Sequence, residues 1–580
     1  MVFRNNWVKA VIINAVFLAV ILLCVNMSYE TNDDYAIANR IVAGSPHVEF
    51  TDYYLCLLLS MVQKWITGIN VYVLFQVVIS FLAFTVITKL ALDLQRSVWL
   101  QGIFVAVIAV YSFDHYAVIQ FTKTSGLLAA AAVLIIADAV VHKRNGFYYA
   151  AAILFMLLST MLRFEMCVFP ICFGGLYLLM RVIHGRKNLV SGGYLSPGRM
   201  VGYALVLVLL AGTAGVHFLS DAENLKTKEL QDYIYYSTYR SYIVDYPIYE
   251  HFCEHPEEYS DIDITKNDFR LINNWYFDYD GAASAENLTK IKNVYDNSRT
   301  VSGTSMKSSA RSCVKHIIKD MKEPNAGGIQ IWILLLIALG GLIRMKPKYW
   351  WYIAAVGIGT LAFYLMLYYM GRPAYRVIYI VNLSATLFLL HAMEQPAFWQ
   401  GPDRQEHRAL HMTGRVFGTA GCVIMILALC AGLWFRYDES QAHAAAIEKS
   451  LRPPELSERI AGDLRHMYVF STREKCNTDS YAHPLRPPDP DRNVVTFGGW
   501  GTCSPYLMEK LSAYELKNVF GDIIDNPTVC VIEDKRVKSM EKYFNRWYAD
   551  PADPSKVIRY EPVDEVDGYQ IWRVTTEPEE

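Results

Sequence analysis

The chain reads as a polytopic α-helical membrane protein of about eleven transmembrane helices, with a large extracytoplasmic loop and a C-terminal extracytoplasmic α/β domain. Three observations predict this class. Only 19% of the 580 residues are charged, against about 25% in ordinary soluble domains. Mean hydropathy is +0.18. Charge-poor runs recur along the sequence, each near the roughly 20 residues that a bilayer crossing requires. The net charge of −2 offers no electrostatic footprint for nucleic acid.

The expected spans are 10–26, 70–88, 97–113, 125–141, 145–162, 166–180, 200–219, 326–343, 349–370, 377–392 and 416–435. The fifth and sixth are also readable as one bent hairpin. Lys and Arg near span ends set orientation. Arg4 and Lys9 precede the first span, Lys89 and Arg96 follow the second, and "HKRNG" follows the fourth. "RVIHGRK" and Arg199 separate the sixth from the seventh; Arg344, Lys346 and Lys348 follow the eighth; Arg404, Arg408 and Arg415 precede the eleventh. With eleven alternating spans all of these fall on one side, which places the N-terminus in the cytoplasm and the C-terminus outside. The first span lacks a small-x-small cleavage site after it, so "CVNMSYETNDD" reads as a retained anchor rather than a signal peptide.

Four regions follow. Residues 1–219 form an N-terminal transmembrane module whose first outside loop, 26–69, is broken by Gly44 and Pro46 into two short helices, the second around 52–66. Residues 220–325 form a Tyr-, Asp- and Asn-rich outside loop, long enough to be functional or a small domain. Residues 326–436 hold the remaining spans. Residues 437–580 form a soluble tail in which "NVVTFGGWG", "PTVCVIED" and "YQIWRV" read as strands and "KRVKSMEKYFNRWY" as a helix. Outside compartments permit disulfides, including one between Cys253 and Cys313. No cysteine or histidine spacing suggests zinc.

With sidedness set, polar exceptions gather at outer span ends: "TNDD" (31–34), "FDHYAVIQFTKTSG" (113–126), "LRFE" (162–165), "YRSYIVDYP" (239–247) and "GRPAYR" (371–376). Ionisable residues at such positions are functional by default or pair among themselves. Arginine binds phosphate bidentately, and a carboxylate can take a proton from a hydroxyl. A site holding both suits a lipid phosphate beside an acceptor.

The acidic pair directly after the first span, followed by two short helices, resembles the GT-C superfamily of polytopic glycosyltransferases. The order "NDDYAIANRIVAG", "QFTKTSGLLAAAAVLIIADAV", "RFEMCVFP" and "GRPAYRVIYI" is similar to a bacterial cell-envelope group of that superfamily. The resemblance implies a multi-pass cell-membrane enzyme. It would move a sugar from a polyprenyl-phosphate donor to an envelope glycan, lipid or protein at the outer face, with inversion. It implies Asp33 or Asp34 as general base, Asp33 being favoured, with Asp34 orienting the acceptor or holding a cation. Arg163, Arg240, Arg372, Arg376 and Lys123 are the donor-phosphate residues expected, and Glu165, Asp245 and His115 the acceptor or sugar residues. A divalent cation, Mg or Mn, is either unneeded or held by Asp34 and Asp245. The rivals are a transporter of lipid-linked sugars, a polysaccharide polymerase of another fold, and a non-catalytic envelope scaffold.

Overall fold

The computed structural model describes residues 5–48, 50–94, 98–142, 144–191, 197–302, 306–323, 325–394, 408–471, 477–489, 492–533 and 535–578. Arg96, Lys143, Arg404, Cys476 and part of the 474–492 loop lie outside the described residues. The chain begins with α1 (Asn6–Cys24), β1 (Ser28–Tyr29), α2 (Asn32–Val42), α3 (Tyr53–Trp65), α4 (Val71–Leu94) and α5 (Val98–Ala117). It continues through β2 (Val118–Ile119), α6 (Phe121–His142), α7 (Gly146–Arg163), α8 (Val168–Ser191) and α9 (Pro197–Asn224). Then come α10 (Lys228–Asp245), α11 (Ile248–Glu254), α12 (Lys266–Asn273), α13 (Ala285–Ser302), α14 (Met306–Lys322), α15 (Ala326–Arg344), α16 (Trp350–Tyr369), α17 (Tyr375–Glu394) and α18 (Arg408–Glu448). The remainder holds α19 (Pro454–Gly462), β3 (Met467–Phe470), α20 (Asp479–Ala482), β4 (Val494–Thr496), α21 (Pro505–Ser512), β5 (Val529–Ile532), α22 (Val537–Trp547), β6 (Lys556–Val566) and β7 (Tyr569–Pro578).

Two compact units result. The first comprises Met1–Asp221, Met306–Ile447 and Ala482–Pro487; the second comprises Ala222–Ser305, Glu448–Tyr481 and Pro488–Glu580. The first is a helical bundle, and among the described residues eight of its segments are long and apolar enough to cross a membrane. The chain is a polytopic membrane protein. Eight differs from eleven for two reasons. The expected spans 145–162 and 166–180 form one apolar stretch, Gly146–His184, and those at 97–113 and 416–435 fall on α5 and α18, whose N-terminal side chains lie outside the described residues.

A single 3-10 turn, Phe164–Cys167, interrupts the Gly146–His184 stretch, and Ser159 of α7 hydrogen-bonds Cys167. Further along, α8 sets Gly174 against Val133 of α6. Glycine permits these close approaches, as small residues do between membrane helices. At Gly126 of α6, a Cβ would lie 2.3 Å from Ile380 Cγ1 of α17. A branched side chain cannot swing clear there, so Gly126→Ala is expected to cost roughly 1–3 kcal/mol, read as a lowered Tm in detergent. An unchanged Tm would show that α6 and α17 are not packed this tightly.

The unit boundaries differ from the expected domains: the outside loop and the tail contribute to one unit, and Ala482–Pro487 of the tail joins the bundle. α14, from the end of the outside loop, belongs to the bundle, and α18 carries the bundle eleven residues past 436 to Ile447. "DESQAHAAAIE" holds no glycine or proline, so nothing in it stops the helix. The thiols of Cys253 and Cys313 are both free, one in each unit, so that disulfide does not form.

The second unit is α/β. Its five-stranded sheet has the order β4-β3-β5-β7-β6. β3 lies parallel to β4 and β5, and β7 antiparallel to β5 and β6. Its core stacks Phe497, Phe520 and Phe544 against the tyrosines and isoleucines of α10–α13.

Candidate functional site

The short β1–β2 ladder positions the acidic pair. Ser28 lies opposite Val118 and Tyr29 opposite Ile119, in parallel, which ties the chain leaving α1 to the chain entering α6. Asp33 and Asp34 fall in the first turn of α2, where the unpaired amides and the helix dipole favour negative charge. Gly44, at φ +81, ends α2 in the left-handed conformation that glycine adopts without strain.

The two aspartates then diverge. Asp34 shares a helical face with buried Ile37, Ala38 and Ile41 and is itself 0% exposed. Its Oδ1 accepts hydrogen bonds of 3.0 Å from Tyr72 Oη, Gln76 Nε2 and the Phe121 amide. Burial pushes its pKa from 3.8 to about 7, against the opposing pull of those bonds. Asp33, one residue around the helix, stays 12% exposed and reaches Arg376 at 3.8 Å.

A carboxyl with a raised pKa holds a proton in the folded state that the unfolded chain has already lost. Wild-type stability is therefore expected to fall as pH rises from about 4 to about 7, by up to ~4 kcal/mol. Asp34→Asn keeps the accepting oxygen and removes the charge. Its Tm is expected to change less across that window and to exceed that of wild type at pH 8. A wild-type Tm that tracks the Asn variant at every pH would contradict the burial of a titrating Asp34.

Arginines surround Asp33. Arg376 is the second residue of α17, and Arg372 follows Gly371, whose φ of +75 turns the chain into that helix. Arg163 closes α7, donates to Thr122 Oγ1 at 2.9 Å and reaches Glu165 at 3.7 Å. It lies within electrostatic range of Asp33, Arg372 and Arg376. Two carboxylates, Asp33 and Glu165, and three guanidinium groups thus gather at one end of the bundle.

Lys123 is committed elsewhere. Fully buried, it lies 3.6 Å from both Glu30 and Asp114 and over the Tyr379 ring. Asp114 also accepts from Tyr375 Oη at 2.9 Å and pairs with Arg436, which pairs in turn with Glu439. A chain of alternating charge results: Glu30, Lys123, Asp114, Arg436, Glu439. It borders a cavity of 630 Å³ whose lining includes Glu30, Asp114, Tyr375, Arg436, Glu439 and His443. Burial raises the Glu30 pKa against the attraction of Lys123 and Arg376, so Arg376 stands near both Glu30 and Asp33.

Of the other expected residues, His115 and Glu165 belong to the first unit beside these groups, and Arg240 and Asp245 to the second. His115 is buried, with Nε2 2.8 Å from Ser80 Oγ and Nδ1 3.4 Å from Tyr379 Oη. Glu165 is exposed and answers Arg163. In the second unit the buried Arg240 donates to the Gly499 carbonyl and to Ser237 Oγ and faces Trp500, Phe277 and Tyr236, which makes it part of that unit's core. Asp245 ends α10.

No group of three or more His, Cys, Asp or Glu able to hold a metal occurs among the described residues. The three donors to Asp34 all meet Oδ1, and its Oδ2 is buried without a hydrogen-bond partner among the described residues. Arg436, Glu439 and His443 were not among the residues expected from the sequence. "FRYDESQAH" follows an apolar run, and the reasoning that singled out basic residues at outer span ends applies equally to Arg436. No family model, curated protein or solved structure matches the chain.

Proposed function

We propose that the chain is a membrane glycosyltransferase of the GT-C type, moving a sugar from a polyprenyl-phosphate donor to a cell-envelope glycan, lipid or protein acceptor at the outer face. In this reading the N-terminus is cytoplasmic, and the bundle end carrying Asp33 and the second unit are both extracytoplasmic. The observation that carries it is the partly exposed Asp33 carboxylate among Arg163, Arg372 and Arg376, with Pro373 and Tyr375 of the segment bearing the last two lining a 630 Å³ cavity.

The donor phosphate takes the arginines. Arg376 turns from its loose 3.8 Å contact with Asp33 to the phosphate, which frees the carboxylate. The acceptor hydroxyl attacks the anomeric carbon, the bond from that carbon to the phosphate oxygen breaks, and the hydroxyl proton passes to Asp33. The polyprenyl phosphate leaves as an anion stabilised by donors already in place. One displacement inverts the anomeric centre. Asp34 holds the loop in position and touches no substrate.

The test is transfer by the purified chain in lipid bilayers, from a panel of radiolabelled polyprenyl-phosphate sugars to envelope acceptors. Labelled product is expected from at least one pair. A panel spanning the envelope sugars with no product would count against the reading and favour a transporter.

A further inference from the structure

The second unit carries a basic cavity that plays no part in the transfer chemistry. It measures 480 Å³ and is lined by Arg270, Asn274, Lys535, Arg536 and Ser539. Three cations therefore share one small space, and its lining contains no carboxylate among the described residues. Neutral groups hold both arginines in place. Arg270 Nη2 donates to Ser539 Oγ at 2.7 Å and Asn267 Oδ1 at 3.0 Å, and Arg536 Nη2 donates to Asn274 Oδ1 at 2.9 Å. Lys535 makes no ion pair among the described residues. Among the described residues, the neighbouring acid Glu533 is fully buried and turned inward, accepting from the Lys535 and Arg536 amides and from Tyr276 Oη; Asp534 lies outside the described residues.

The contrast with the other end of α22 is informative. There Arg546 faces the same neighbouring segment and is met by Asp263 and by Asp268 at 3.2 Å. Among the described residues, cations on this surface are thus neutralised by acids at one end of the helix and left to neutral partners at the other. Like charges brought together this way repel unless an anion joins them.

The location adds a second argument. The cavity sits where β5 feeds α22, so the positive end of an 11-residue helix points toward it. It also lies beyond the carboxyl end of β5, from which the chain runs through α22 to β6. Open α/β sheets bind ligands outside the carboxyl ends of their strands.

We propose that this cavity binds a phosphate group, as a monoester or diester, between Arg270, Lys535 and Arg536. The guanidinium groups grip the oxygens and Lys535 adds point charge. The group arrives either on a soluble phosphorylated molecule or as a lipid headgroup.

The experiment uses the full chain in a neutral detergent at constant ionic strength. Hydrogen exchange of 266–274 and 535–547 is followed on adding inorganic phosphate, monomeric dihexanoyl phosphatidic acid, dihexanoylglycerol or chloride. Protection is expected from phosphate-bearing probes only, with apparent affinity about tenfold or more weaker in Arg536→Gln and Arg270→Gln. Lys542→Gln, on the same helix outside the cavity, is expected to bind as wild type does. Protection by inorganic phosphate assigns a soluble phosphate group; protection by the phosphatidic acid alone assigns a headgroup. If either arginine variant fails to fold, exposed Lys535→Gln serves in its place, with weakened binding again expected. No protection by either phosphate probe, equal protection by chloride, or full affinity in the variants that fold would overturn the site.

Discussion

Lys123→Met is expected to destabilise the bundle by about 3–5 kcal/mol, the range for removing one partner from a buried ion pair. Methionine matches the length of the lysine stem, so little packing is lost. What is lost is the cation between Glu30 and Asp114, 3.6 Å away on either side. Lys123 is 0% exposed, so water does not replace it. Asp114 retains Arg436, and the stranded charge falls mainly on Glu30. The double variant Lys123→Met with Glu30→Gln is therefore expected to recover part of the loss. Chemical denaturation in detergent gives both numbers. A loss below about 1 kcal/mol in the single variant would mean that Lys123 is solvated and free to serve as a phosphate ligand.

Asp33→Asn is expected to lower transfer by 10²–10⁴-fold, the usual worth of a general base, with little change in Tm. Asparagine occupies the same space and still meets Arg376, but takes no proton. Asp34→Asn is expected to keep most of the transfer rate, because the oxygen that accepts from Tyr72, Gln76 and Phe121 remains an acceptor. In the proposed reading, neighbouring acids of the same type thus separate into one chemical and one architectural role. The separation comes from the helical period: a step of one residue turns a side chain by about 100°.

Part of this was legible in the sequence. Length and apolar runs are enough to identify membrane helices, because lipid leaves the backbone few alternatives. Gly44 and Pro46 marked the break between α2 and α3 through their backbone preferences. The division between Asp33 and Asp34 was also within reach, since Asp34 stands three, four and seven residues before Ile37, Ala38 and Ile41. Other features were not. β3, "MYVF", is buried along its whole length and so lacks the alternation by which strands are recognised. β6 carries charge on an exposed edge and reads as loop. The burial of Lys123 depends on Glu30 and Asp114, brought to it from separate segments by the β1–β2 ladder, and no local pattern encodes that meeting. Arg240 sits in a span-end context by sequence, yet folds into the core of the second unit.

The measurement that bears most directly on Asp33 as the base is the ratio of transfer rates of Asp33→Asn and Asp34→Asn, in one bilayer preparation with one donor and acceptor. The account gives a ratio of about 10⁻² or lower, with both variants folded. A ratio near one, or a loss confined to Asp34→Asn, would contradict it.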